Sequence, residues 1–144
     1  MIDLHCHILP GIDDGAKNIE DSMDMARTAI EEGITHILAT PHYKNGHWDN
    51  EKRDILSLVE EVQEELDARG IPLTIFPGQE VRINGDLMED IELDNIQFID
   101  EGNQYVLIEF PTQSIPAYTE SLFLNCNVRG LHPSLFTLNE IMPY

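Results

Sequence analysis

The chain has 144 residues, of which 42% are hydrophobic, so it can bury one core of ordinary size and is a candidate for a single domain. Its formal net charge of −19 argues against nucleic acid or an anionic membrane as a general partner. Because no apolar run reaches the length of a bilayer span and the N-terminus lacks the layout of a signal peptide, we expect no membrane insertion.

The first predicted strand covers residues 2–6 and carries a closely spaced histidine pair. Side chains alternate along a strand, so His5 and His7 are expected to share one face with Asp3, while Cys6 points to the other. Two imidazoles at this spacing can bind one metal ion. An isolated pair of this kind is also compatible with two ordinary half-buried histidines, so the rest of the chain has to decide between these interpretations.

The remaining pattern alternates helices and strands. The spacing of apolar residues predicts, in chain order, a helix over 18–32, a strand over 34–39, a helix over 49–69, a strand over 73–76, a partly helical acidic segment over 85–94 and a strand over 105–110. Four strands separated by helices or long connections imply parallel pairing. The predicted class is therefore α/β, either an open sheet or part of a barrel.

Polar residues follow each predicted strand, where α/β folds place their sites. The candidates are His5, His7, Asp13 and Asp14 after the first strand, His42 after the second, Glu80 after the third and Glu109 at the end of the fourth. A buried carboxylate such as Glu109 needs a partner, which can be a bound cation or a salt bridge with Arg82. His36 and His47 are not assigned to a metal, and Trp48 is interpreted as part of a surface loop.

Imidazole and carboxylate ligands without thiolates favour manganese, iron or zinc, and six of them favour more than one ion. Paired ions can lower the pKa of a shared water and hold a phosphoryl group, so phosphoester hydrolysis is the leading chemistry. Cysteine-dependent tyrosine phosphatase chemistry is excluded, since it needs an arginine six residues after the cysteine and those positions hold Ile12 and His132. Cys6 is expected to pack in the core. The two cysteines form no disulfide framework and fit a reducing cytoplasm.

Four segments carry a family resemblance: MIDLHCHILPGIDDG at 1–15, ATPH at 39–42, PGQEVR at 77–82 and LIEFP at 107–111. In this order they resemble the bacterial manganese-dependent protein-tyrosine phosphatases of the polymerase-and-histidinol-phosphatase (PHP) superfamily, which regulate capsule and exopolysaccharide production in Gram-positive bacteria. The resemblance implies a distorted, TIM-like β/α barrel, of which this chain is the N-terminal half. It also implies dephosphorylation of a bacterial tyrosine kinase at two or three Mn²⁺ ions. The implied metal ligands are His5, His7, Asp14, His42, Glu80 and Glu109.

The resemblance ends at about Phe123. A complete barrel takes about 250 residues, and the family continues with His-Pro-Glu-Arg, which supplies a metal ligand and a phosphate-binding arginine, and later with Asp-x-His. Neither motif follows residue 123 here. Codons that can encode residues 134–143 can also encode His-Pro-Glu-Arg in another reading frame. The sequence therefore predicts a partial phosphatase domain over 1–123 and an out-of-frame tail over 124–144.

These features predict weak or absent phosphatase activity for the 144 residues alone, because the arginine is missing and a net charge of −19 repels a phosphorylated peptide. Half a barrel also leaves a sheet edge and apolar faces uncovered, which favours aggregation. Two other functions remain open at this point. One is a histidinol-phosphate-type phosphatase of the same superfamily, and the other is a non-catalytic fragment that binds metal, or a kinase partner, without turnover.

Overall fold

The computed structural model describes residues 1–135, in which parallel strands alternate with helices. The elements are β1 (Ile2–Cys6), α1 (Ile19–Glu31), β2 (His36–Ala39), β3 (His42–Tyr43), α2 (Lys52–Ala68), β4 (Thr74–Pro77), β5 (Glu80–Arg82), α3 (Leu87–Glu92), β6 (Tyr105–Glu109), α4 (Thr119–Val128) and β7 (His132–Leu135). All strand pairings are parallel, which confirms the predicted α/β class. Within the described part of the chain, no helix is long and apolar enough to cross a membrane.

The strands form two sheets, in the orders β1-β2-β4 and β3-β5-β6-β7. The two sheets are continuous in register, since His36 pairs with Thr74 before the break and His42 pairs with Glu80 after it, at the same offset. β2 and β3 are thus two parts of one strand path, and β4 and β5 are two parts of the next. Adjacent parallel paths in chain order are the arrangement found in a β/α barrel.

The breaks in these two paths have a local cause. Pro41 has no backbone N–H to donate to a neighbouring strand. Gly78, at the facing break, lies so close to the neighbouring path that an added Cβ would be 3.0 Å from the Leu38 Cγ and 3.2 Å from the Ala39 carbonyl oxygen. A Cβ here would have to displace these atoms by a few tenths of an ångström, so glycine favours the close approach. As a result, His42 and Glu80 begin the second sheet side by side.

Most predicted elements are present with small shifts at their ends. The first helix is capped by Asn18, whose side chain accepts a hydrogen bond from the Asp21 N–H, and it ends before Gly33 at φ +82°. The second helix begins at Lys52, three residues later than expected. The short strands β3 and β5 were not predicted, because two or three residues show no alternation that a pattern could reveal.

α4 and β7 extend the fold beyond the predicted domain boundary at residue 123. Leu122, Cys126 and Leu131 are buried in the same cluster as Val106 and Ile108 of β6. The sequence in this region shows no clear period, and neither element was predicted from it. The assignment of 124–144 to another reading frame stays a prediction, and residues 136–144 lie outside the described residues.

Two apolar clusters hold the strands in place. One packs α1 and α2 against the first sheet through residues such as Met23, Ile55 and Leu66, all fully buried. The other packs α3 and α4 against the second sheet, with Val81 and Ile108 at its centre. Each buried aliphatic side chain of this size contributes about 1.5–3 kcal/mol relative to exposure. The strand ends that carry the polar residues are therefore held in place by a packed apolar core.

Candidate metal centre

The six implied ligands lie together at the carboxyl ends of the strands. They form three overlapping groups, in each of which one potential ligand atom per residue lies within 4.8 Å of the others. The groups are His5, His7 and Glu80; His7, Asp14 and His42; and His42, Glu80 and Glu109. The chain segments that supply them are far apart in sequence, so it is the parallel sheet that brings them together.

Glu80 is the residue on which the histidines converge. Its Oε2 atom lies 3.7 Å from the His5 Nε2, 3.3 Å from the His7 Nε2 and 3.1 Å from the His42 Nδ1. The side chain is only 1% exposed, and neither of its oxygens has a hydrogen-bond partner among the described residues. A buried carboxylate in this state requires cations around it.

Glu109 meets Arg82, one of the two partners that the sequence suggested, while the other, a bound cation, stays a prediction. Its Oε1 accepts a hydrogen bond from the Arg82 guanidinium, while its Oε2 lies 3.4 Å from the His42 Nδ1. Burial favours the neutral acid, but the nearby His42 ring and the hydrogen bond from Arg82 outweigh it and lower the pKa of Glu109 to about 2. One oxygen is thus neutralised by arginine, and the other faces the histidine.

The donor set fits divalent metal ions. The buried side-chain atoms without a hydrogen-bond partner in the described part of the chain include the His42 Nδ1, both oxygens of Glu80 and the Glu109 Oε2. These atoms share one region, and buried polar groups without partners are rare in folded proteins. Imidazole nitrogen and carboxylate oxygen are ordinary ligands for manganese, iron and zinc. Bound cations would satisfy all four atoms at once.

Asp13 lies behind His7 rather than inside a metal group. Its Oδ2 is 2.8 Å from the His7 Nδ1 and accepts a longer bond of 3.3 Å from the His42 N–H, while its Oδ1 accepts from the Gly15 N–H. Gly15 is required here, since a Cβ at this position would be 2.1 Å from the His7 carbonyl oxygen. Asp13 therefore fixes the His7 ring with its Nε2 toward Glu80.

This arrangement alters the acid–base properties of His7. Burial lowers the pKa of its imidazole, but the hydrogen bond to Asp13 and the nearby Glu80 carboxylate outweigh burial and raise the pKa to about 10. Burial likewise opposes, and the hydrogen bond from His7 favours, the ionised form of Asp13, whose pKa is lowered in balance. Metal binding at His7 must therefore displace a proton.

Thr40 has the same role for His5. Its Oγ1 lies 2.8 Å from the His5 Nδ1 and accepts a hydrogen bond from the Cys6 N–H at 3.1 Å. Thr40 is fully buried, so its hydroxyl cannot turn to solvent. With Nδ1 engaged, the His5 Nε2 is left to face Glu80.

Asp3 does not share the face of His5 and His7, so that expectation is wrong. The register of β1 shifts between Asp3 and Cys6, as it does at a β-bulge, and both residues line the same depression beside Met25 of α1. A bulge adds a residue and changes which side chains face together. Cys6 packs against the first apolar cluster as predicted, and burial raises the pKa of its thiol to about 12, which disfavours a thiolate nucleophile.

Trp48 contributes to the centre, although its loop was interpreted as ordinary surface. Its ring stacks on that of His42, with centroids 5.5 Å apart and planes 13° apart. Within this loop, the Asn45 Oδ1 accepts hydrogen bonds from the backbone N–H groups of His47 and Trp48. Neither His36 nor His47 belongs to a metal group of the described residues. The sequence offered one indication of this contact, which is an aromatic residue six positions after His42.

Comparison with known proteins identifies relatives of the whole described region. The family model for capsular polysaccharide synthesis proteins CpsB/CapC matches residues 1–136. Tyrosine-protein phosphatase YwqE of Bacillus subtilis is 41% identical over 133 residues, which are 92% of this chain and 52% of YwqE. The putative tyrosine-protein phosphatase CapC of Staphylococcus aureus is 35% identical over 92% of this chain and 52% of its own length. The chain spans about half the length of these curated relatives.

A solved structure agrees in fold. It belongs to work on YwqE from Bacillus subtilis and CpsB from Streptococcus pneumoniae, described as unique metal-dependent tyrosine phosphatases. The TM-score is 0.89 at 41% identity, and the match covers 94% of this chain and 54% of the other. The resemblance found in the sequence motifs is thereby confirmed, as is the similarity to one half of that fold.

Proposed function

Since this chain belongs to the CpsB/CapC family of capsular polysaccharide synthesis proteins, we propose that it supplies the metal-binding half of a phosphatase that removes phosphate from tyrosine residues of a bacterial tyrosine kinase. The observation that carries the proposal is the convergence of three histidines and two buried glutamates on one region, in which four potential ligand atoms have no hydrogen-bond partner among the described residues. The names of the relatives support the choice of phosphotyrosine as substrate. The two free cysteines support a cytoplasmic location for the reaction.

We assign the metal as Mn²⁺, with His5, His7, Asp14, His42, Glu80 and Glu109 as its ligands. The groups His5–His7–Glu80 and His42–Glu80–Glu109 can be filled together, because they use different histidines and share only Glu80. The group with Asp14 draws on His7 and His42, which the other two groups already use. The described residues could therefore hold two ions, with Glu80 in both groups and Asp14 as a further ligand of an ion at His7 or His42, and a third ion would need ligands beyond them. Iron or zinc would suit the same donors.

The chemistry follows from this assignment. When bound, two divalent ions supply a water of lowered pKa and neutralise the oxygens of a phosphoryl group. Glu80 and Glu109 provide the negative charge that retains the cations, and Asp13 and Thr40 fix the orientation of the histidine rings. Trp48 covers one face of His42, so the approach of substrate is restricted on that side.

The test is phosphate release from a phosphotyrosyl peptide by the chain loaded with Mn²⁺, compared with histidinol phosphate as substrate. We expect slow release from the peptide, dependent on manganese and absent in Glu80→Gln. Manganese binding without any release would support the non-catalytic fragment instead. A preference for histidinol phosphate would favour the alternative phosphatase.

A further inference from the structure

Asn50 lies between β3 and α2, outside the metal groups, yet its side chain contacts two segments that build the centre. Its Nδ2 donates hydrogen bonds of 2.9 Å to the Ile12 carbonyl oxygen and of 2.9 Å to the His42 carbonyl oxygen. Its backbone N–H also donates to the His42 carbonyl oxygen, at 3.3 Å. Ile12 directly precedes Asp13 and Asp14, so one carboxamide joins the aspartate loop to the strand of His42.

Gln79 fixes the position of Asn50 through a hydrogen bond to its backbone. It is fully buried, its Nε2 donates a 2.7 Å hydrogen bond to the Asn50 carbonyl oxygen, and its Oε1 accepts one of 3.0 Å from the Gln97 N–H. Gln79 is also the neighbour of Glu80 in the chain. A buried carboxamide whose NH₂ group and oxygen are both hydrogen-bonded has little conformational freedom. Gln79 therefore also restricts the backbone of Asn50, to which it is bonded.

The backbone of His42 is therefore held from both sides. Its N–H donates to the Asp13 Oδ2, and its carbonyl oxygen accepts from Asn50. Across the same junction, the His42 Nε2 lies 3.3 Å from the Asp14 Oδ1. Loss of the Asn50 link would free the aspartate loop to move away from the strand, and the groups that include His42 would lose their spacing.

We propose that Asn50 is a positioning residue of the metal centre, which holds the Asp13–Asp14 loop against β3 so that metal ions meet ligands already in place. This inference rests on the proposed metal function. Partners that orient ligands in this way typically contribute about tenfold to a hundredfold to metal affinity. In the described part of the chain, Asn50 makes no hydrogen bond to a candidate ligand side chain, so its effect is transmitted through the backbone.

The decisive variant is Asn50→Asp, which keeps the size of the side chain but replaces the donating NH₂ group with an oxygen facing two carbonyl oxygens. The dissociation constant for Mn²⁺ is measured from the electron paramagnetic resonance signal of the free ion. We expect it to rise by about tenfold to a hundredfold. The added negative charge by itself would tighten cation binding, so weaker binding cannot be a charge effect.

Asn45→Asp is the matched control, because it makes the same chemical change in the same loop. Asn45 acts only as an acceptor in the described contacts, from the His47 and Trp48 N–H groups, and an aspartate retains that capacity. We expect its manganese affinity to be unchanged or slightly higher. If Asn50→Asp does not fold, the dissociation constant for Mn²⁺ is measured for Asn50→Ala instead, which removes the donors without adding a charge.

The melting temperature of the metal-free chain provides the second readout. If Asn50 variants melt lower but bind manganese as tightly as the wild type, the residue is merely structural and the inference is overturned. If the wild type binds no manganese, the proposed function fails together with the inference. Normal binding by the wild type and weakened binding by Asn50→Asp, with Asn45→Asp unaffected, would support both.

Discussion

Two buried side chains at the centre determine which nitrogen each histidine presents. Asp13 engages the His7 Nδ1 and Thr40 engages the His5 Nδ1, so that both Nε2 atoms face Glu80. A histidine whose second ring nitrogen is hydrogen-bonded is held in one tautomer and one orientation, and this increases its affinity for a metal ion. The affinity of the centre is therefore expected to depend on residues that contact no metal.

Replacing Asp13 with asparagine tests this dependence. The carboxylate that stabilises the proton on the His7 Nδ1 is lost, so we expect manganese affinity to fall by about tenfold to a hundredfold in calorimetric titration. Asp3→Asn is the control, since Asp3 lies at the α1 side and an asparagine can still accept the hydrogen bond from the His5 N–H. Equal losses in both variants would mean that charge alone, and not ring orientation, sets the affinity.

Thr40→Val removes a buried hydroxyl while keeping the shape of the side chain. The Cys6 N–H loses its acceptor, which is expected to lower the free energy of unfolding by about 1–3 kcal/mol. The His5 ring also loses its fixed orientation, so manganese binding should weaken. Thr40→Ser keeps the hydroxyl and should bind manganese like the wild type, despite losing a methyl group. Weakened binding in the serine variant would contradict the role given to the hydroxyl.

For single residues, the sequence reveals the candidate ligands but not the residues that orient them. His5, His42 and Glu109 could be predicted because the apolar pattern indicates where strands end, and α/β folds place their sites at strand ends. Thr40 acts through the contact of its hydroxyl with the His5 ring, and Asn50 acts through backbone carbonyl oxygens; neither contact leaves a periodic signal. The bulge in β1, which turns Asp3 away, is equally hidden, since it depends on how two strands pair.

Among the elements, the broken strand paths are what the sequence could not predict. Strong apolar runs gave the long strands and both long helices, with ends displaced by a few residues. The break between β2 and β3 falls at Pro41, which the sequence shows, but the facing break at Gly78 depends on a close approach that is a property of the assembled sheet. α4 and β7 have weak patterns, and packing against β6 rather than local propensity forms them.

The junction of α1 and α2 provides a test of stability that is independent of the metal centre. Both carboxylate oxygens of Glu20 accept 2.8 Å hydrogen bonds from the guanidinium of Arg69, and this contact lowers the pKa of Glu20 below its usual value of 4.5. A carboxyl with a lowered folded-state pKa adds stability above its unfolded pKa and loses it as the pH falls through the folded value.

We therefore expect wild-type protein to resist urea better than Glu20→Gln at pH 7, with the difference disappearing in acid below the lowered pKa of Glu20. Urea midpoints at a series of pH values measure this. Glu31→Gln, near the other end of α1, is the control and should be neutral or slightly stabilising, because a negative charge there opposes the helix dipole. A difference between Glu20→Gln and wild type that persists in acid would rule out the ion pair as its source.

For the whole molecule, the sheet leaves apolar side chains of one face in contact with solvent. Ile2, Leu4 and Phe76 line a shared groove with Phe98, and the first three are 63%, 50% and 44% exposed. Exposed apolar groups that lie together in this way favour association. The aggregation expected from the sequence stays a prediction, but this surface is where it would begin. No residue that lines this groove belongs to a metal group of the described residues.

The most direct test of the account is calorimetric titration of Mn²⁺ into the metal-free chain, beside the Glu80→Gln variant. Glu80 is the carboxylate shared by the two groups that can be filled together. We predict saturable binding of two ions per wild-type chain, with release of protons, and the loss of at least one ion in the variant. Heats no larger than dilution for the wild type, or identical binding by both proteins, would contradict a metal centre built on Glu80.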